Sequence, residues 1–419
     1  MTAINTRVIL RVLGVLLCME ALFMLFPTGV SLIYKEHDLI AFLISTGATC
    51  IAGGIMAWLG RDHSAQMGRR EGSLIVSLSW ILFSLFGMLP FMISGYIPHI
   101  TDAFFETMSG FTTTGASILT DIDRLPHGLL FWRCMIQWLG GMGIIVFTLA
   151  VMPMLNSGGG IQLFNAEVPG VRHDKIRPRI SQTAKRLWGI YFIITALCAL
   201  LLALGPMSIF DAICHAFSTL ATGGYSTKQA SIAYWHSAYI EYIITLFMFI
   251  GGINFSLVYF TANGNPHKLV KNEEFRWYLG AALIFTLIVM SGLFITGQEY
   301  SSLEETFRIS LFQVVSIFTT TGFATADYVS WGSFFGVVFF ILMFSGASAG
   351  STSGGAKIVR IGILLKNTAN EFYRHIHPNA VLPVRINNYV VSNEVVSKVL
   401  AFILPVLYIK QAVARAHKC

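Results

Sequence analysis

Ser109-Gly-Phe-Thr-Thr-Thr-Gly115-Ala-Ser117, Ser218-Thr-Leu-Ala-Thr-Gly-Gly224-Tyr-Ser226 and Ser316-Ile-Phe-Thr-Thr-Thr-Gly322-Phe-Ala324 are three versions of one phrase. Their last shared glycines stand 109 and 98 residues apart. Each phrase follows a short apolar run of helical character and lies between two hydrophobic segments of membrane length. Threonine and glycine have no reason to recur at such places in a lipid-facing segment. They have one if the backbone there lines an ion path.

The surrounding chain is a membrane chain. Hydrophobic residues make up 55% of its 419 residues and charged residues 12%, about half the charge of a soluble domain. Runs of about 20 apolar residues, enough to span a bilayer, predict nine spans near 8–34, 38–59, 74–96, 128–153, 187–206, 237–261, 277–297, 333–365 (interrupted) and 394–410. Three shorter half-spans lie between them. The first span is longer than a signal-peptide core and lacks a small-residue cleavage site, so it reads as a retained helix. Of the six cysteines, Cys18, Cys50, Cys134, Cys198 and Cys214 lie in apolar segments without metal-ligand spacing and read as small buried hydrophobes. Trp80, Trp132, Trp188 and Trp277 fall near span ends and read as interfacial anchors.

Basic residues gather on one side. Arg7, Arg11, Arg61, Arg69 and Arg70 come first, then Arg172, Lys175, Arg177, Arg179, Lys185 and Arg186, then Lys268, Lys271 and Arg276, then Lys357, Arg360, Lys366, Arg374 and Arg385. Alternate loops carry Asp121, Asp123, Glu299, Glu304, Glu305 and Asp327. The pattern predicts a cytoplasmic N-terminus and Thr/Gly stretches that enter from outside. The net charge of +7 is then orientation bias scattered over several loops and does not point to nucleic acid.

The repeat extends beyond the three phrases. Each unit reads span, half-span, Thr/Gly stretch, span. Glu106, His215 and Gln313 each stand nine residues before Gly115, Gly224 and Gly322. The second spans share a glycine cluster: Gly140-Gly141-Met-Gly143, Gly251-Gly252-Ile-Asn254 and Gly346-Ala-Ser-Ala-Gly350. The expected fold class is an all-α polytopic membrane protein built from such units around one central pathway. It comprises a two-span leader over 1–72 and units over 73–164, 165–264 and 265–385, with a fourth beginning over 386–419. By the same spacing a fourth stretch would fall at or beyond residue 419, so a shortened fourth unit is expected.

The chemistry suits a cation. A dehydrated cation needs oxygens in place of its water shell, and backbone carbonyls supply them without a fixed counter-charge. Extended backbone is tolerated at membrane depth only inside protein. A half-helix also points a C-terminal end of about half a negative charge at the ion. The expected donors are Thr113 and Thr114, Thr222 and Gly223, and Thr320 and Thr321, with Gly115, Ala221, Gly224 and Gly322 completing the candidate filter. No carboxylate lies within the stretches, which points to a large, weakly hydrated monovalent cation; divalent sites more often use carboxylates.

At these residues the chain resembles the Trk/Ktr/HKT superfamily of potassium transporters, and within it the bacterial Trk potassium-uptake membrane subunits. The resemblance rests on Asp102-Ala-Phe-Phe-Glu-Thr-Met-Ser-Gly-Phe-Thr-Thr-Thr-Gly115, Gln137-Trp-Leu-Gly-Gly-Met-Gly-Ile-Ile145, Arg177-Pro-Arg-Ile-Ser-Gln-Thr-Ala-Lys185, Ala349-Gly-Ser-Thr-Ser-Gly-Gly-Ala-Lys357 and His377-Pro-Asn-Ala380. It covers about residues 1–408. It implies four pore units, a homodimer in the bacterial inner membrane, and a separate cytosolic nucleotide-binding subunit that controls conduction. It also implies that a loop beneath the filter blocks the pore. Gly346, Ser348, Gly350, Ser351, Thr352, Gly354 and Gly355 match that loop. Potassium is then the transported ion, no covalent cofactor is expected, and the chain is not an enzyme. The family's fourth, Asn-rich filter, its final span and that span's arginine have no counterpart in this sequence.

Other readings stand beside this one. Gly346-Ala-Ser348-Ala-Gly350 fits Gly-x-Ser-x-Gly, and a hydrolase would pair Ser348 with His375 or His377. That motif needs a strand before it and a helix after it, whereas the flanks read as an interrupted membrane helix. The run Gly350–Lys357 lacks the Gly-Lys pair and preceding strand of a phosphate loop. Lys357 and Arg360 repel a cation, anchor a partner, or simply flank a span. Asp102 and Glu106 form a vestibule, cap the half-helix, or pair with Arg133. His215 is a satisfied core histidine or a proton carrier. A small-solute secondary transporter usually shows inverted repeats, whereas these repeats share one topology.

Overall fold

The computed structural model describes residues 4–61, 69–151, 180–297 and 302–402. The basic run 172–179, Glu299, and the end of the ninth span with the tail that follows lie outside these residues. Five helices among the described residues are long and apolar enough to cross a bilayer, and a bent pair makes a sixth.

The chain opens with α1 (Thr6–Tyr34) and α2 (Leu39–Leu59), a helical hairpin. Asn5 caps α1 by accepting from the Val8 amide, and Lys35 ends it in a left-handed turn. Both helices turn large apolar side chains outward, Ile33, Ile51 and Trp58 among them. This is the inverse of a soluble helix pair and fits a lipid solvent.

Three stretches of similar order follow. The first has α3 (Arg69–Gly87), a short α4 (Leu89–Ile93), the half-helix α5 (Ile100–Phe111) and α6 (His127–Val151). The second has α7 (Ile180–Ala203), the half-helix α8 (Ile209–Leu220), α9 (Ala238–Gly251) and α10 (Phe255–Ala262). After α11 (His267–Lys271), the third has α12 (Glu273–Ile295), the half-helix α13 (Leu303–Phe318), α14 (Ser333–Ser345) and α15 (Ile358–Ile376). At about 1.5 Å per residue, the 12 residues of α5 and of α8 reach only about halfway across a bilayer. Ser208 and Ser302 start α8 and α13 by accepting from the amides of Asp211 and Glu305.

Each half-helix packs into the apolar clusters of the core, and α8 and α13 each contribute to two of them. Phe111 of α5 packs near Trp132, Ala212 and Leu220 of α8 near Tyr191 and Phe247, and Phe318 of α13 near Tyr278 and Phe335. The half-helices are thus largely enclosed by protein, with α6 buried beside them, while α1, α2, α7 and α12 turn apolar side chains outward.

The structure corrects several expectations. The span expected over 237–261 is two helices, α9 and α10, bent by 107° at Gly252–Asn254. Asn254 caps the second by accepting from Ser256 N at 2.8 Å. The span over 333–365 is interrupted as expected, by the loop between α14 and α15, but its end is corrected, since α15 continues to Ile376. An antiparallel two-stranded hairpin, β1 (Arg385–Ile386) and β2 (Tyr389–Val390), adds a small β element to the all-helical expectation. Its turn residues Asn387 and Asn388 have φ of 48° and 66°, the left-handed pair a tight hairpin needs. Residues 393–402 are helical. Trp132 is fully buried, its indole N–H donating to Gly87 O at 2.9 Å, so it is a core residue and not an interfacial anchor. Cys50 is exposed on the outer face, and Cys18 is half-buried; Cys134, Cys198 and Cys214 are buried.

Candidate functional site

The Thr/Gly stretches share one backbone conformation. Thr113, Thr222 and Thr320 have φ of 54°, 53° and 58°, and Gly115, Gly224 and Gly322, two residues on, have φ of 76°, 79° and 87°. Glycine adopts such angles freely. A β-branched threonine does so at a cost of about 1–3 kcal/mol, which persists only where its surroundings over-determine it. Part of that determination is visible: Thr114, Gly223 and Thr321 each donate their amide to the carbonyl of Ser109, Ser218 and Ser316, at 2.9 Å in all three cases.

The three stretches converge. A methyl group built on Gly115 would lie 2.0 Å from the Gly223 carbonyl oxygen and 3.8 Å from that of Thr321. One built on Gly224 would lie 1.9 Å from the Thr321 carbonyl oxygen. One built on Gly322 meets no described atom within 4 Å. The predicted donors Gly223 and Thr321 therefore stand at the contacts between successive stretches. Ala221 is different: its side chain faces α6, where a methyl on Gly141 would lie 3.0 Å from its Cβ.

The residues nine before each glycine brace the chain after it. Glu106 accepts from Ser117 Oγ and Ile118 N, both at 3.0 Å, and pairs with Arg133 at 2.9 Å. This resolves the three readings of Glu106 in favour of the ion pair. Asp102, by contrast, has Thr101 Oγ1 at 3.4 Å. His215 has Nδ1 2.7 Å from Asp211 O and Nε2 3.0 Å from Ser226 Oγ. A carbonyl only accepts, so Nδ1 carries the proton, and His215 is a satisfied core histidine. Gln313 Nε2 donates to Thr325 Oγ1 and Ala326 O. Ser109 and Ser316 add a second brace, donating to Ala116 O and Phe323 O at 2.6 and 2.7 Å.

Loop 346–355 packs against two of the stretches. Thr352 Oγ1 lies 3.0 Å from Leu220 O, 3.2 Å from Gly251 O and 3.3 Å from Thr222 Oγ1. Gly354 N donates to Thr320 Oγ1 at 2.7 Å. The loop closes on itself at a narrow neck, where a methyl on Gly355 would come within 2.7 Å of Gly346 Cα. It is tied to the bent helix pair by Ser348 N to Gly252 O and by Phe255 N to Gly350 O. Ala349 N donates to the buried carboxylate of Glu274 at 2.6 Å. Lys357 turns inward, its ammonium donating to the carbonyls of Ser351 and Ser353. It therefore does more than flank a span. Arg360 lies over the Phe402 ring, 4.1 Å from its centroid.

Ser348 is no nucleophile elbow. It is buried, the segment before it is the helix α14, and His375 and His377 lie at the far end of α15, about 25 Å of helix away. Sequence reasoning gave no role of their own to three contributors: Gln137 and Tyr225, quoted only within longer motifs, and Glu274. Tyr225 OH donates to Glu106 O and Ala116 O, linking the second stretch to the first. The one sequence signal was Gly223-Gly224, standing where the other stretches have Thr-Gly.

Comparison with known proteins places this arrangement. The family model TrkH, cation transport protein, matches residues 40–414. This chain belongs to the TrkH cation transport family. The Trk system potassium uptake protein TrkH of Escherichia coli (strain K12) is 42% identical to it over 401 residues, which is 94% of this chain and 82% of that protein. TrkG of the same organism is 35% identical over 408 residues, 96% of this chain and 83% of that protein. The crystal structure of the potassium transporter TrkH from Vibrio parahaemolyticus superposes with a TM-score of 0.85 at 37% identity, covering 95% of this chain and 82% of that one. The members it matches are transporters, and the chain is not an enzyme.

Proposed function

We propose that this chain takes up potassium across a bacterial inner membrane, with its N-terminus in the cytoplasm. The ion passes where Gly115, Gly224 and Gly322 meet, its water shell replaced by carbonyl oxygens of Thr113, Thr114, Thr222, Gly223, Thr320 and Thr321. Loop 346–355 closes the path beneath them. In this reading the chain works as a homodimer with a cytosolic nucleotide-binding subunit, and the three stretches belong to successive pore units.

One observation carries the reading: three left-handed turns from separate parts of the chain meet carbonyl to glycine, at 2.0 and 1.9 Å from the built methyl positions. Strained threonine backbone repeated in register points to a coordinating surface, since packing alone does not require it. Backbone carbonyl oxygens suit an ion that must also leave. Names of relatives at 35–42% identity agree with potassium as the cargo.

The test is rubidium uptake in bacteria lacking their own potassium uptake. Uptake that potassium competes away and sodium does not is the expected result. Amino-acid or sugar uptake without cation flux would overturn it.

A further inference from the structure

We infer that Gln137 stands in for the threonine side chain missing from the second stretch, and that by holding the Gly223 carbonyl it sets potassium-over-sodium discrimination. The inference rests on the potassium reading above.

Two of the positions at which the three stretches differ lie beside the shared glycine. One and three residues before the glycine, the first has Thr114 and Thr112, whose hydroxyls lie 2.8 Å apart. The third has Thr321 and Thr319, with hydroxyls 2.7 Å apart. The second has Gly223 and Ala221. It therefore lacks the hydroxyl pair that ties the turn to its own half-helix. The peptide between Gly223 and Gly224 also has glycine on both sides, the sequence least able to resist a peptide flip.

Gln137 occupies the vacated space. A methyl on Gly223 would lie 2.4 Å from Gln137 Cδ and 2.7 Å from Nε2. Its Nε2 donates to Gly223 O at 2.8 Å, and its Oε1 accepts from Tyr225 N at 3.1 Å. The Tyr225 amide can only donate, so the orientation of the Gln137 amide is fixed. The clamp spans the flexible peptide and uses one lone pair of Gly223 O, leaving the other for an ion. Neighbours on α6 extend the brace: Arg133 Nη1 lies 3.4 Å from Ser226 O, and the Cys134 thiol 4.0 Å from Tyr225 O.

The next span makes the comparison. Three residues before its glycine pair, α9 carries Met248 where α6 carries Gln137. Met248 is buried in a cluster with Phe312 and Phe323 of the third stretch's surroundings. That stretch has Thr321 and its own hydroxyl pair, so no amide is needed there. The amide is present where the threonine is absent, and absent where the threonine is present.

The test is a double-variant cycle on the full chain: Gln137→Ala, Gly223→Thr and the two together. Rubidium uptake competed by potassium or sodium is one readout. The other is the difference in melting temperature of the purified protein between potassium and sodium chloride. Gln137→Ala is expected to lower potassium-over-sodium discrimination about tenfold, the scale of a lost buried hydrogen-bond pair. Gly223→Thr clashes with Gln137 and should lose discrimination or folding. The double variant should recover both, because a threonine side chain then fills the vacated space from within the second stretch itself. Gln137→Glu, which keeps the volume and the Tyr225 acceptor but loses the donor, should behave like Gln137→Ala. Losses that multiply in the double variant, or singles indistinguishable from the parent, overturn the inference. A parent chain with no potassium preference in either readout overturns the potassium reading itself, and this inference with it.

Discussion

Glu106 and Arg133 form an ion pair in which neither side chain is more than 1% exposed. The pair joins the half-helix α5 to α6, and Arg133 also covers the Tyr225 ring at 4.2 Å. Removing one charge strands the other in a buried place. Glu106→Ala should destabilise the protein by about 3–5 kcal/mol, whereas Glu106→Leu with Arg133→Leu should cost clearly less than either single change. Thermal unfolding of the purified protein measures this. A double variant as unstable as the sum of its parts would show that the two residues do not act as a unit.

Gly115, Gly224 and Gly322 are not equivalent. All three have left-handed φ, so any side chain is strained there, but among the described residues only Gly115 and Gly224 also face a carbonyl oxygen within 2.0 Å of a built methyl. Gly115→Ser and Gly224→Ser should therefore abolish potassium-selective uptake. Gly322→Ser should keep uptake and lose part of its discrimination against sodium. Rubidium uptake with sodium competition ranks the three, and equal effects at all positions would contradict the ordering.

What could be read beforehand follows from where the signal lies. Thr-Thr-Gly inside an apolar run stands out because those residues have no use for lipid, and the register of Glu106, His215 and Gln313 was visible as spacing alone. The break at Gly252–Asn254 was hidden because apolar residues continue on both sides of it, so hydropathy saw one span over 237–261. The far end of α15 was cut at 365 because Lys366, Asn367 and Asn370 interrupt the apolar run, although the helix continues as an amphipathic one. Gln137 meets Gly223 across 86 residues of sequence, and no local pattern encodes such a contact.

Thr352 is the loop's closest tie to the second stretch. Its hydroxyl replaces solvent for Leu220 O and Gly251 O, carbonyls at the ends of α8 and α9. Thr352→Val keeps the shape and removes the single hydroxyl proton that the two carbonyls share. If the loop closes the path, weakening its latch by one hydrogen bond, about 0.5–1.5 kcal/mol, should raise basal rubidium flux about two- to tenfold. Flux equal to the parent's would separate the loop from gating.

Lys357 offers two accounts of how the loop works, and one variant distinguishes them. Its backbone is left-handed, φ 63°, and its ammonium reaches back to the carbonyls of Ser351 and Ser353, both in buried residues. As a tie, it satisfies two acceptors that water does not reach. As a charge, it repels cations approaching the loop. Lys357→Met removes both properties, and each stranded carbonyl then costs about 1–3 kcal/mol. The tie predicts faster amide hydrogen exchange across 346–357 together with raised rubidium flux. Lys357→Arg keeps the charge, but its planar fork does not fit a site made for a compact ammonium, so it should also raise exchange. Repulsion alone predicts raised flux in Lys357→Met, normal flux in Lys357→Arg, and unchanged exchange in both. The inward-facing hydrogen bonds favour the tie, so exchange and flux should rise together in both variants.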